Sequence, residues 1–203
     1  MEVSIITPAK RLDNYALETI KSVASQITDF SYEHIVIVDD KNEVLPQNYF
    51  SKNYSIIYLK SKRKSGPSSS RNEGIEIAKG NIICFIDADD LWDLKYLRKL
   101  KVLYDSCEDI GAVSVGGFTF GKNIKKQKKI TAWHREGFLS INVLSWNIIG
   151  CPSGFSFRSK YKNHAIFNED LRWCEDYLFY LSLKIKTNLN IYRSNDIFFQ
   201  QGT

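Results

Sequence analysis

Three aspartates, Asp87, Asp89 and Asp90, follow directly on the oily run Ile82–Ile86 in the stretch IICFIDADDLW. Carboxylates this close repel one another, and the cost is offset when something positive is expected there. In an extended segment, residues two apart point the same way, so Asp87 and Asp89 can converge on one hard cation with Asp90 nearby. Oxygen donors without His or Cys suit Mg²⁺ or Mn²⁺ better than zinc. An ion held by few carboxylates completes its shell with water and the phosphates of a substrate. The plainer alternative is a polar turn in which Asp89 or Asp90 caps the next helix. A second acidic pair, Glu175 and Asp176, opens the aromatic-rich stretch EDYLFY. There it either answers a helix dipole or supplies a general base that deprotonates a hydroxyl nucleophile. One carboxylate site for metal and another for a proton is a division of labour that transfer chemistry needs.

The elements that must hold these groups are legible in the first half. Val3–Thr7 is a β-rich apolar run closed by Pro8, and Leu17, Ile20, Val23, Ala24 and Ile27 follow at helical spacing. Ile35–Val38, ending in Asp39 and Asp40, and Ser55–Leu59 read as further buried parallel strands. Ser68, Ser69 and Ser70 offer N-caps for a helix through Ala78 that stops at Gly80, and Ile82–Ile86 is the fourth strand. A helix over Leu94–Tyr104 comes next. Alternating β and α argues for a parallel α/β sheet with its ligand loops at the carboxyl ends of the strands. Beyond Ala112–Phe120 the regularity fades: Gly121–Lys129 reads as a solvated loop or as a contact with anionic lipid or substrate, and Trp173–Ile185 as a helix.

The 203 residues, 43% of them apolar, suffice for one substantial core, and no linker or repeat divides them. One domain is expected over 1–203, with a nucleotide-facing half (1–92) and an acceptor-facing half (93–203). The net charge of +5 is spread over 28 basic and 23 acidic residues, a mildly basic surface rather than a nucleic-acid-binding composition. Cys84, Cys107, Cys151 and Cys174 show no CxxC pairing, as expected of reduced thiols in a cytoplasmic protein. The start MEVSIITPAK lacks the pattern of a signal peptide, and no stretch approaches a membrane span; peripheral contact with the inner face of a membrane stays open.

The succession VSIITPAK, ALETIKSVASQ, HIVIVDDKNE, GPSSSRNEGIEIAKGNIICFIDADDLW and WCEDYLFYLSL resembles the family 2 glycosyltransferases, inverting sugar transferases with the GT-A fold. The resemblance spans nearly the whole chain and implies a Rossmann-like, mostly parallel sheet flanked by helices, with a smaller acceptor-side region. It implies that Thr7 and Pro8 lie by the nucleotide, that Asp40 contacts its base and Asp39 shapes that loop. Arg71, with Asn72 and Gly74 beside it, falls near the base and diphosphate. Asp87 matches the DxD aspartate that approaches the ribose, with Ala88 next to it in the donor site, and Asp89 or Asp90 binds Mn²⁺ or Mg²⁺. Asp176 matches the catalytic base and Glu175 its companion. Ile148–Arg158 corresponds to a segment lining the acceptor side, where Trp133 and His134 are further candidates. The partners so implied are a nucleotide-sugar donor, UDP-sugar favoured, and a glycan or lipid-linked acceptor, in bacterial cell-surface polysaccharide synthesis.

The chain also departs from the family pattern. Lys41 and Asn42 stand where Gly-Ser is usual after the paired aspartates, and Lys10 and Arg11 replace the common Tyr-Asn after the first strand, making the nucleotide entrance more basic. A haloacid dehalogenase-type phosphotransferase also uses DxD after an apolar strand, but Leu91 stands where its Thr or Val belongs. A non-catalytic glycan-binding module is the third alternative, and it has no need of a base at Asp176.

Overall fold

The computed structural model describes residues 1–63, 66–119, 129–130, 136–139 and 149–201. Trp133, His134, Trp146 and nearly all of Gly121–Lys129 lie outside the described residues. The apolar runs become strands β1 (Val3–Ala9), β2 (Tyr32–Val38), β4 (Tyr54–Lys60) and β5 (Ile82–Phe85), with the two-residue β3 (Tyr49–Phe50) on the outer edge. The order β4-β2-β1-β5 is parallel throughout. Beyond β5 the sheet continues through β10 (Phe155–Arg158), β7 (Ile110–Thr119), β11 (Asn190–Gln201) and β6 (Leu91–Trp92). Strand β10 is antiparallel to both its neighbours, whereas β7 and β11 run parallel to each other. Two short strands, β8 (Lys129–Ile130) and β9 (Gly137–Phe138), pair with β7 and β11.

Alternation along each strand feeds two cores. Ile6, Ile35, Phe85 and Phe157 point to one face, where they meet α2 (Pro67–Ile77) and α4 (Glu175–Thr187). Val3, Ile5, Cys84 and Val113 point to the other, against α1 (Asn14–Ala24) and α3 (Tyr96–Ser106). Both faces are covered, which is why these strands are continuously apolar rather than alternating. Phe167 and Phe179 stack at 3.9 Å with rings 3° from parallel, fixing α4 against the first face. No helix among the described residues is long and apolar enough to cross a membrane.

Helix α4 spans Glu175–Thr187 rather than Trp173–Ile185, and the starts of α2 and α3 differ from the sequence expectation for physical reasons. The N-cap of α2 is Gly66 at φ 138°, with Pro67 opening the helix. Ser68, Ser69 and Ser70 are therefore buried inside the first turn instead of capping it. Helix α3 begins at Tyr96, two residues later than expected, after a turn in which Asp93 accepts from the Lys95 amide at 3.0 Å.

Gly74 lets α2 lie on β1: a Cβ there would stand 2.4 Å from Ile6 Cγ2. Gly74→Ala gains helix propensity of up to about 1 kcal/mol, but the overlap costs about 1–3 kcal/mol. A net fall in Tm is expected in thermal unfolding.

Candidate active site

An open cleft of about 830 Å³ lies beyond the carboxyl ends of β1, β2 and β5, where an open α/β sheet binds ligands. Pro8, Ala9, Lys10 and Arg11 form its wall after β1, with Asp13 and Tyr15 at the start of α1. Asp39 follows β2; Gly66, Pro67 and Arg71 come from α2; Asp87, Ala88 and Asp89 follow β5; Glu175 comes from α4. Segments far apart in the chain, the first strand end and the two acidic motifs, thus share one cavity.

Arg71 joins the two acidic motifs. It is only 3% exposed; its Nη2 donates to Asp87 Oδ1 at 2.6 Å, and its Nη1 lies 3.5 Å from Glu175 Oε1. Its guanidinium also sits 5.2 Å over the Phe167 ring. Burial opposes its charge, but the attraction of Asp87 and then Glu175 outweighs it and raises its pKa. Its Nε and Nη1 nonetheless make no hydrogen bond among the described residues.

The loop after β5 is held from the far half of the chain. The Asp87 amide donates to Ser153 Oγ at 2.8 Å, and the indole N–H of Trp92 donates to the Ser153 carbonyl at 3.0 Å. Ser153 is fully buried in the 3₁₀ turn Pro152–Gly154, so it supports the aspartates from behind. Trp92 is packed on Tyr96 at 4.0 Å and belongs to the core. Asp89 is exposed at the cleft, and its carboxyl pKa is raised first by partial desolvation there and then by the charge of Asp87. Asp90 is 2% exposed and absent from the cleft wall; its carbonyl accepts from Thr19 Oγ1 at 2.8 Å.

Other expected residues divide by the way they face. Asp39 Oδ2 accepts from the Gly66 amide at 2.8 Å and its Oδ1 from Ser70 Oγ at 2.9 Å, which pins the start of α2 to β2. Asp40 is exposed, accepts from the Asn42 amide at 2.9 Å, and stands outside the cleft wall. Thr7 is fully buried with its hydroxyl 2.8 Å from His34 Nε2, while Pro8 beside it does line the cleft. Burial pulls the His34 pKa down to about 3, so that imidazole stays neutral. Lys10 and Arg11 reach the cleft and make its entrance basic, as their positions implied.

Helix α4 starts from Cys174, whose left-handed conformation (φ 58°) turns the chain so that both acids fall in the first helical turn. Glu175 enters the cleft wall; Asp176 lies half-buried next to it, its Oδ1 accepting from the Tyr177 amide at 2.7 Å. Burial is the main cause of a raised Asp176 pKa, opposed by that amide and by Arg71 and reinforced by Glu175. Sequence reasoning missed Asp13, Tyr15, Gly66 and Pro67, since nothing in their local patterns sets them apart from ordinary cap and turn residues. Ser153 had no signal of its own within the expected acceptor-side segment Ile148–Arg158.

Similarity to known proteins follows the same lines. A glycosyltransferase of Rickettsia felis is 29% identical over 193 residues, which are 93% of this chain and 31% of that protein. The minor teichoic acid biosynthesis protein GgaB of Bacillus subtilis is 33% identical over 94 residues, 44% of this chain and 10% of its own. The chain thus spans about a third or less of the length of these curated relatives. Among solved structures, S. aureus TarS 1–349 in complex with UDP-GlcNAc superposes with a TM-score of 0.78 at 18% identity, covering 100% of this chain and 59% of that one. The sheet and its flanking helices are therefore those of the GT-A fold. With residues 4–167 matching the family described as Glycosyl transferase family 2, the chain belongs to that family.

Proposed function

We propose that this domain transfers a sugar, with inversion, from a nucleotide-diphosphate sugar to a hydroxyl of a glycan or lipid-linked acceptor in cell-surface polysaccharide assembly. The observation that carries the reading is Arg71, which brings Asp87 of the DxD stretch and Glu175 of the Glu-Asp pair onto one buried guanidinium at the cleft. A site for a diphosphate and a site for a proton acceptor thereby become neighbours. The UDP-GlcNAc bound by TarS and the teichoic acid role of GgaB favour a UDP-sugar and a cell-surface glycan. In the reaction Asp176 takes the proton of the acceptor hydroxyl as its oxygen attacks the anomeric carbon, and the nucleoside diphosphate leaves from the opposite face. Arg71, Lys10 and Arg11 supply positive charge on the side where the diphosphate departs.

The donor set fits a divalent ion. Asp87 and Asp89 are hard oxygen ligands in one cleft wall, and the unfavourable ionisation of Asp89 beside Asp87 is the strain that a cation relieves. Among the described residues no three potential ligands form a ready-made cage, which suits an ion that takes the rest of its shell from water and diphosphate. Asp89, at the cleft, is the ligand we assign; Asp90 is buried behind it. Asp89 would hold the Mn²⁺ or Mg²⁺, which would supply positive charge against that building on the leaving diphosphate. Four free thiols suit a cytoplasmic location. A phosphotransferase reading has Asp87 as nucleophile, yet its carboxylate is engaged by Arg71.

Calorimetry with UDP, GDP, CMP and dTDP, with and without Mn²⁺, tests this. Expected is Mn²⁺-dependent binding of UDP, weakened roughly tenfold or more in Asp89→Ala, the value of about one lost charged ligand contact. Absence of binding by any nucleotide under either metal condition overturns the proposal.

A further inference from the structure

Tyr180 is 1% exposed, packed on the Phe155 ring at 4.5 Å and on Phe179 at 5.8 Å, and its hydroxyl has no hydrogen-bond partner among the described residues. A buried unsatisfied hydroxyl costs folding free energy, and Phe would fill the same space without that cost. The hydroxyl therefore calls for a use outside the resting fold. It lies on α4 four residues after Asp176, on the same face one turn along. The groups that act on it electrostatically are Asp176, Cys151, Arg71 and Asp87, so it sits where the two acidic motifs meet. Nε and Nη1 of Arg71 in the same place likewise make no hydrogen bond among the described residues, Nη1 being held only by its ion pair with Glu175.

We propose that Tyr180 is a positioning residue for Asp176, donating a hydrogen bond that aims the carboxylate at the acceptor hydroxyl once substrates arrive. In the resting structure Asp176 is held by the amide of its own neighbour, Tyr177, at 2.7 Å. Only Oδ1 is so held, and a donor one turn away can fix that oxygen together with the amide while the second oxygen faces the substrate. Burial, followed by the Asp176 charge, keeps the phenol protonated and able to donate. The inference rests on Asp176 being the base.

The test is Tyr180→Phe beside Asp176→Asn, with turnover measured as nucleoside diphosphate release from whichever of UDP-GlcNAc, UDP-glucose, UDP-galactose and GDP-mannose the wild type uses fastest. Tyr180→Phe is expected to lower kcat roughly ten- to hundredfold, the kinetic value of one charge-assisted hydrogen bond. KM for the donor is expected to stay unchanged, and Tm to stay equal or rise, because no hydrogen bond of the resting fold is lost. A Tm that falls shows a hydroxyl serving the fold, and an unchanged kcat shows one serving nothing; either overturns the proposal. If Asp176→Asn retains turnover, the base assignment itself fails. Loss in Asp176→Asn with full activity in Tyr180→Phe overturns the role of Tyr180 alone.

Discussion

Asp176→Asn is expected to reduce kcat by about 10²–10⁴-fold, the usual contribution of a positioned general base, while nucleotide affinity stays within a small factor of wild type. The amide keeps the shape and can still accept from Tyr177, so packing is unchanged and the loss is chemical. The pH profile adds a sign. A base must be deprotonated, and burial raises the carboxyl pKa of Asp176, so the acid limb of kcat lies above the ordinary aspartate value. The same shift says that ionised Asp176 opposes folding: its contribution to stability is present below the unfolded pKa and is lost as pH rises through the folded one. At neutral pH the Asn variant should therefore melt no lower than wild type. A variant that is inactive and also several degrees less stable would point to a structural carboxylate instead.

Arg71→Met carries the second large effect, this time on both stability and binding. Removing one member of a buried ion pair strands the other, at a cost of about 3–5 kcal/mol. Asp87 keeps 27% of its side chain exposed and regains some water, so the lower end, about 3 kcal/mol, is expected. For a chain of this size that is a Tm loss of roughly 6–12 °C. The stack on Phe167 and the tie to Glu175 go as well, so the two acidic motifs lose their common cation. Nucleotide binding should fall by more than in Asp89→Ala. Lys at this position keeps charge but not the planar fork, and restores less than half of the loss in Tm. An Arg71→Met protein as stable as wild type would show that the pair contributes nothing net.

What the sequence made legible follows from how local each signal is. Strands β1, β2 and β5 carry Ile or Val runs buried on both faces, and the half-buried β4 keeps Ile56 and Ile57 at its centre; such runs announce themselves without knowledge of their partners. The strand ends then placed Pro8, Asp39, Asp87 and Asp89 at one edge, as the cleft shows. The serines of α2 misled because a cap is decided by backbone shape: Gly66 at φ 138° takes the cap while Ser70 serves Asp39. Thr7 and Asp40 fall outside the cleft wall for a related reason, since a residue at a strand end can face either way and only the neighbouring strand or turn decides. The second half was hardest, because β10 gains its place from β5 and β7 on either side rather than from any period of its own. Tyr180 had no signal at all: in EDYLFYLSL it is one aromatic among several, and only packing reveals a hydroxyl without a partner.

The insertion of β10 between β5 and β7 bears on how the chain matures. Ribosomes deliver β1 to β5 and the aspartate loop long before Ser153 exists, and folding units close as soon as their parts emerge. Until residues 152–158 arrive, β5 keeps one bare edge of amides and carbonyls, Asp87 lacks the hydroxyl that receives its amide, and the Trp92 indole lacks its carbonyl. Long-range pairing of this kind is a slow step, and an uncovered strand edge in the meantime invites association with other chains. A nascent or truncated nucleotide half is thus sticky and unfinished, and competence for chemistry arrives only as the final strands lock the earlier ones in place.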